Sequence, residues 1–572
     1  MSSRFLKWLR IVVALAVFAA LTATFVDFRE LVPWKIGHWL GEIQFVPSLV
    51  ALLTGASLSL ACIIIAVVTL AVGRVYCSAI CPLGILQDII NRLTKWVKRK
   101  SRPASYSRPH TWLRQTFLWA TIIAAVAGWG GFALALLDPY SNFGRIASDI
   151  FRPLATLANN SVVGLADTIG WHGLFRVEPR WAVVGALHQP VILLILLFVL
   201  VVFGGRLYCN TLCPVGTLLG WLSKRAAFRL QIEKSACAKC AACMKVCKAQ
   251  CIDLHSSSID FSRCVACYNC VDVCEEHGIG YRFAWINDEQ PAPNSISPPR
   301  TQASMTVWSS AFTRLGRIFS LWPPKGGTLN TDVSARPELV PNPQRREFLA
   351  QTIAGIIGAA GIARWGTKTG SRGRSPHQLE SRGRNNFSPV ICPPGSASVE
   401  RFADRCTACH LCISECPTGV LQPAFLEYGL LGIMKPRMDF NVAFCNFDCV
   451  RCGEVCPDGA IDLLDVATKH LVKIGEARFY PDQCVVVTNS TDCAACSEHC
   501  PTKAVFTVPY GNNLRLPSLN NDLCIGCGAC ENVCPAKPDK AIVVTGWREH
   551  GWAKKSIESK ATMPKPTGDF PF

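Results

Sequence analysis

Apolar residues gather into four long runs within the first 203 positions, at about 11–26, 48–72, 116–137 and 181–203, and polar residues separate them. A helix of such length can cross a hydrocarbon core of roughly 30 Å, so four membrane-spanning helices are predicted. The first run is short enough to be taken for a signal peptide. Three more runs follow it and no convincing cleavage site does, so it is read as an anchor. Arg4, Lys7 and Arg10 precede the first run. Arg92, Lys95, Lys98, Arg99, Lys100, Arg102, Arg108 and Arg114 lie between the second and third, and Arg206, Lys224, Arg225 and Arg229 follow the fourth. The loop after the first run is balanced, with Asp27, Glu30 and Glu42 against Arg29 and Lys35. The positive-inside rule then puts both ends of the four-run unit in the cytoplasm.

A repeat closes each even-numbered run. Gly73-Arg-Val-Tyr-Cys77-Ser-Ala-Ile-Cys81-Pro-Leu-Gly84 returns as Gly205-Arg-Leu-Tyr-Cys209-Asn-Thr-Leu-Cys213-Pro-Val-Gly216. A duplicated two-helix hairpin accounts for this, as in other repeat-built membrane proteins. Cysteines four apart share one face of a helix, and the following Pro marks a helix end or a new first turn. Two readings of Cys77, Cys81, Cys209 and Cys213 stand. Buried thiols often serve as small apolar packing groups. Four thiols converging about a pseudo-two-fold axis could instead bind a further metal centre or cycle between dithiol and disulfide.

Downstream, cysteine spacing takes over from hydropathy. Four groups read C-x2-C-x2-C-x3-C: Cys237, Cys240, Cys243, Cys247; Cys264, Cys267, Cys270, Cys274; Cys406, Cys409, Cys412, Cys416; and Cys524, Cys527, Cys530, Cys534. Two are stretched at the front: Cys445, Cys449, Cys452, Cys456 and Cys484, Cys493, Cys496, Cys500. This is the ligand signature of [4Fe–4S] clusters, in which the fourth Cys serves the partner cluster of a two-cluster ferredoxin. Structural zinc sites take two cysteines from each of two separated knuckles and fit poorly. Disulfides fit no better, because dense C-x2-C runs make poor frameworks. Six clusters predict a carrier of electrons, with no catalytic side chain of its own.

Four apolar runs, two C-x3-C-P motifs and a following two-cluster ferredoxin resemble the NapH type of membrane protein, over roughly residues 1–280. That type is related to the C-terminal part of NosR-type proteins. The resemblance implies a quinol-oxidising module of the kind that serves periplasmic nitrate reduction. Cys247 and Cys274 are followed by Lys248 and Glu275, where the usual ferredoxin motif has Pro. Cys251 adds a fifth thiol, Cys62 lies inside the second run, and Cys392 stands alone.

Residues from about 290 to 340 are rich in Pro, Ser and Thr and read as a linker. Pro343-Gln-Arg345-Arg346-Glu-Phe348-Leu349 then precedes weakly apolar sequence to Ala363. This resembles an internal twin-arginine export signal carried by Arg345 and Arg346. A fifth anchor or an amphipathic linker helix is the alternative. The four cysteine groups behind it, each closed by Pro417, Pro457, Pro501 or Pro535, resemble the NapG/MauM type of ferredoxin over roughly 343–550. Ferredoxins of that type imply a nested pairing, first group with fourth and second with third.

Composition agrees with this organisation. Half of the residues are hydrophobic and 17% are charged, as in a membrane protein with soluble parts. The formal charge is +18. Six oxidised clusters at about −2 each would leave about +6, so nucleic-acid binding is not expected. The predicted fold is multidomain: a four-helix transmembrane bundle plus α+β ferredoxin-like [4Fe–4S] modules, one two-cluster and one four-cluster. Its parts are a membrane domain (1–224), a two-cluster ferredoxin (225–290), a linker (291–342), the signal-like segment (343–366), a flexible linker (367–389), a four-cluster ferredoxin (390–550) and a tail (551–572). The expected setting is the bacterial inner membrane, multi-pass, with 225–342 cytoplasmic and 390–572 periplasmic. The expected partners are the membrane, the quinone pool and a periplasmic cytochrome or reductase. A maturation factor for a periplasmic enzyme, or an electron-transfer subunit of another respiratory oxidoreductase, is the alternative. His188 and Asp138 are the weak candidates for a quinone site.

Overall fold

The computed structural model describes residues 3–55, 59–98, 106–127, 129–179, 184–283, 387–388, 390–429, 432–511 and 513–555. The expected linker and signal segments, with Arg345 and Arg346, lie outside the described residues apart from 387–388. The side chain of His188 lies outside them too.

The first apolar run forms one helix, α1 (Ser3–Val26). Its Phe5–Val26 portion is long and apolar enough to cross a membrane. Helices α2 (Trp34–Glu42) and α3 (Phe45–Thr54) follow, and they meet that measure only as a pair bent by 84°. The second expected span is not one helix. It is divided between α3 and α4 (Ala61–Val72), with Gly55 left-handed at φ 67° between them. Sequence hydropathy reads straight through this break, because short hydroxyl side chains supply the hydrogen bonds that the backbone loses there. Ser48 Oγ accepts from Cys62 N at 2.9 Å, and Ser59 Oγ donates to Ser48 Oγ at 2.9 Å. The third expected span is likewise divided, between α7 (Thr111–Val126) and α8 (Gly130–Leu137). The fourth falls in α11 (Val184–Gly204), which contains Pro190.

The two repeat copies fold alike. Cys77 lies in the short helix α5 (Tyr76–Ala79), and Pro82 opens α6 (Pro82–Lys98). Cys209 lies in α12 (Leu207–Thr211), and Pro214 opens α13 (Pro214–Ser223). Between α8 and α11 the chain forms α9 (Pro139–Ile146), a π-helical turn (Ala147–Phe151) and α10 (Arg152–Thr168). Asp138 caps α9: its Oδ2 accepts from Ser141 N at 2.8 Å and Ser141 Oγ at 2.7 Å. Leu21, Phe25, Leu83, Phe143, Ile146, Leu197 and Leu219 fill the helical core at 1% exposure or less. Outward-facing Val12, Ile64, Val67, Ile123, Ile192 and Phe198 leave α1, α4, α7 and α11 with apolar outer faces.

The module carrying Cys237–Cys274 is framed by antiparallel strands β1 (Phe228–Ile232) and β4 (Ile279–Phe283), with β2 (Ile252–Asp253) paired to β3 (Ser258–Ile259). It has an apolar core of its own. In the C-terminal module β11 (Ile542–Trp552) pairs with β8 (Val472–Phe479) and with β5 (Phe387–Ser388). Here Phe402 and Leu411 belong to the same continuous apolar core as Phe25 and Phe143 of the helical unit.

Candidate metal centres

In the C-x2-C-x2-C loops, a positive φ lets the chain curl so that successive thiols face one point. Ala241, Tyr268, His410 and Gly528 all adopt it, between 59° and 83°, immediately before the short helix that carries the third Cys. The fourth Cys of each described pair then faces the neighbouring group. Cys416 shares a cavity with Cys445, Cys449 and Cys452. Cys456 lies with Cys406, Cys409 and Cys412. Cys534 shares a cavity with Cys484, Cys493 and Cys496, and Cys500 lies with Cys524, Cys527 and Cys530. The pairing is therefore first with second and third with fourth, not the nested order implied by resemblance. The two pairs meet where Cys445 N donates to Cys527 O at 3.0 Å.

In the other module Cys247 faces Cys264, Cys267 and Cys270 across a cavity that Cys251 also lines. Cys237 and Cys240 lie near Cys243. Cys274 packs half-buried on the same core, and Cys240 is exposed. Three close thiols plus one from the partner group, around an apolar cavity, are the donor set a cubane needs. Among the described residues, no three His, Cys, Asp or Glu side chains close on a single ion position.

Cys77, Cys81, Cys209 and Cys213 are all buried, within the helical core. They are near neighbours across the repeat: Cys213 lies near Cys209, Cys81 and Cys77. Gln87 Nε2 donates to Cys209 Sγ at 3.3 Å, and Gly216 N to Cys213 Sγ at 3.3 Å. Two arginines at matching repeat positions flank them, and both are fully buried. Arg206 donates to Cys77 O and grips Asp88 at 2.8 and 2.9 Å. Arg74 donates to Asn210 Oδ1 at 3.1 Å and Ser262 O at 2.8 Å, with Cys77 Sγ 3.9 Å from its Nη2. A buried cation needs negative charge nearby, and the thiols supply it if deprotonated. Sequence reasoning counted Arg206 only as a loop charge and gave Arg74 no role, although Gly-Arg-x-Tyr-Cys in both copies carried the signal. Asp88 also binds Lys248 Nζ at 2.7 Å. Burial alone would raise the Asp88 carboxyl, but Arg206 and Lys248 hold it well below the usual carboxylate range.

The two thiol-rich modules both touch α1, the Cys237–Cys274 module at Lys7 and the C-terminal module near Phe25, and otherwise meet different helices. The Cys237–Cys274 module meets Lys7 through Asp272 at 2.6 Å, Val72 O through Tyr281 Oη at 3.0 Å, and Arg114 through Ser262 O at 3.2 Å. The C-terminal module meets Thr54 O through Arg405 at 3.4 Å, and Gly144 lies hard against Cys409 O. Arg152 of α10 donates to Ser414 O. His410 is fully buried in the first C-terminal loop. Its Nε2 lies 2.8 Å from Met434 O and its Nδ1 3.1 Å from Asp149 Oδ2 of the π-helical turn. Nearby, burial pushes Asp458 up to about 7, against the hydrogen bonds it accepts from Thr407. Lys7 and Phe25 are about 27 Å apart along α1 at 1.5 Å per residue. Asn142 links this end to the thiols, since its Nδ2 donates to Tyr208 Oη at 3.0 Å, next to Cys209.

A family model described as a 4Fe-4S binding domain matches residues 53–103 and 189–233, the two copies of the repeat. A second model of the same description matches 399–422 and 517–538. The chain is 27% identical over 204 residues to the ferredoxin-type protein NapG of Escherichia coli, which covers 34% of this chain and 82% of NapG. It is 28% identical over 202 residues to the methylamine utilization ferredoxin-type protein MauM of Methylorubrum extorquens, 34% of this chain and 85% of MauM. The chain is a ferredoxin-type electron-transfer protein related to NapG and MauM. The ferredoxin-type protein NapF of Escherichia coli is also similar, 29% identical over 145 residues, 25% of this chain and 80% of NapF. No solved structure matches this ferredoxin-type chain. Of the thiols outside the groups, Cys62 is packed in α4, and Cys392 Sγ lies 3.3 Å from Tyr428 Oη.

Proposed function

We propose that the chain conducts electrons across a bacterial inner membrane, between the quinone pool and a periplasmic redox partner. The six cysteine groups would each hold a [4Fe–4S] cluster, and such clusters, when bound, supply one-electron carriers. Cys77, Cys81, Cys209 and Cys213 would hold a further iron–sulfur centre inside the helical unit. One observation carries this reading. The four buried thiols lie between two thiol-rich modules that contact α1 near its two ends. The match of both repeat copies to a 4Fe-4S binding domain supports it, and so do the buried, mutually crossing Arg74 and Arg206. The apolar outer faces of α1, α4, α7 and α11 support immersion in lipid, since soluble proteins rarely expose such patches. Loop charge supports a cytoplasmic position for the Cys237–Cys274 module. The Arg345–Arg346 segment would carry the C-terminal module outside.

The test uses the full chain in sealed vesicles, with a membrane-impermeant reductant added on one side. The wild type is expected to show reduction of clusters on both sides, by absorbance bleaching and paramagnetic resonance. The variant Cys77→Ser/Cys81→Ser/Cys209→Ser/Cys213→Ser is expected to show it on the near side alone and to contain less iron. Equal iron and equal bleaching in both proteins would sink the proposal.

A further inference from the structure

The thiol of Cys251 is absorbed by none of the groups above. In three of the other groups the residue four places after the last Cys is small or branched and apolar: Val420, Ala460 and Ala504, each 2% exposed or less. These side chains pack at the cluster sites; Val420 lines the cavity shared by Cys416, Cys445, Cys449 and Cys452. In the Cys237–Cys247 group that place is taken by Cys251, 2% exposed. The same group lacks the Pro that usually follows the fourth ligand and has Lys248 instead.

Geometry brings this thiol into the site. Cys251 Sγ lies 3.7 Å from Cys247 Sγ. Both line the cavity formed by Cys264, Cys267 and Cys270. The backbone holds Cys251 there: its O accepts from Asp260 N at 2.9 Å, and the next residue, Ile252, pairs with Ile259 in the β2–β3 ladder. Sulfurs in van der Waals contact cannot cap two corners of one cubane, because each iron takes one terminal thiolate and the corners stand well apart. They can compete for one corner.

We propose that Cys251 is a second ligand for the iron corner assigned to Cys247, so that the cluster of Cys264, Cys267 and Cys270 can be closed by either thiol. This rests on the reading of that cavity as a [4Fe–4S] site. The absence of Pro after Cys247 fits the exchange, since Pro would fix the backbone dihedral that must turn for one sulfur to replace the other. The exchange is also mechanically connected to the buried thiols of the helical unit. Lys248, next to Cys247, holds Asp88, and Asp88 holds Arg206, which donates to Cys77 O.

The experiment compares Cys247→Ser, Cys251→Ser, the double variant and Cys264→Ser in the full chain. Iron and acid-labile sulfide are measured per chain, and oxidised protein is examined for the paramagnetic [3Fe–4S] signal of a corner without thiolate. Each of C247S and C251S is expected to keep wild-type iron and to lack that signal. The double variant and C264S are expected to lose about one iron per chain or more. A [3Fe–4S] signal in C247S as large as in the double variant would overturn the proposal, because Cys251 then does not take over. Unchanged iron in C264S would instead overturn the cluster reading itself.

Discussion

At the scale of single residues, glycine at the end of each repeat copy is demanded by contact. A Cβ at Gly84 would run into Cys77 O, and one at Gly216 into Cys209 O. Each clash is with backbone, which cannot rotate away. Gly84→Ala and Gly216→Ala should each destabilise the helical unit by about 1–3 kcal/mol, read as a lower unfolding midpoint in detergent. An effect indistinguishable from a surface substitution would show that the two loops are looser than their contacts indicate. The Gly was visible in the sequence as part of a repeat, but its reason was not, because the carbonyl it must approach belongs to the same loop folded back. His550 gives a residue-scale pH dependence. It sits on β11, and burial holds it down to about 4. The folded chain keeps it neutral while the unfolded chain takes up a proton below roughly 6.5. Stability from this residue is therefore full above pH 6.5 and falls as pH drops toward 4, by about 3 kcal/mol in all. His550→Gln should flatten the decline of the unfolding midpoint between pH 7 and 5.5. A slope equal to wild type would remove His550 as its source.

At the scale of elements, the cysteine groups were legible because their spacing follows the ligand pattern of a cubane, whereas the short helices that carry Cys243, Cys270, Cys412 and Cys530 were not foreseen. The helices of the N-terminal unit were legible only as apolar stretches. Hydropathy cannot see that α3 and α4 are separate helices, since the polar groups at the break are few and paired with one another. Ser48 is the centre of that pairing and is fully buried. Ser48→Ala should leave Cys62 N–H without its acceptor and cost about 1–3 kcal/mol. Ser48→Thr, which keeps the hydroxyl, should recover most of it. Thermal unfolding of the three proteins in one detergent decides the matter, and equal midpoints for Ala and wild type would mean that water or lipid headgroups replace the bond. Cluster pairing lay beyond the sequence for a related reason. All four C-terminal groups end in Cys-Pro and differ only in front spacing, which does not encode which neighbour the fourth thiol meets. The fold selects the nearer one along the chain.

At the scale of the whole molecule, the docking of the C-terminal module onto the helical unit was invisible to sequence. It depends on residues from segments far apart: Asp149 with His410, Arg152 with Ser414, and Gly41, where a Cβ would stand 2.8 Å from Pro457. None carries a recognisable motif. The interface is continuous apolar core around a few polar contacts, so the buried His410–Asp149 contact should matter more than exposed pairs. Removing one partner of a buried hydrogen-bonded contact leaves the other unsatisfied and costs about 1–3 kcal/mol, whereas exposed pairs contribute about 0–1 kcal/mol. Asp149→Ala should therefore loosen the docking, and Arg548→Ala, which breaks the exposed pair with Glu400 at 2.5 Å, should not. Hydrogen–deuterium exchange distinguishes them. Protection over 139–151 and 399–414 should fall together in Asp149→Ala, while β8 and β11 stay protected because the C-terminal module keeps its own ladder. Iron content should stay at the wild-type level in both variants, since neither side chain is among the thiol sets. Electron passage in the sealed-vesicle assay should drop in Asp149→Ala and not in Arg548→Ala, since a conduit fails at any joint where its parts separate. Unchanged protection at both segments would mean that the apolar core alone holds the two parts together.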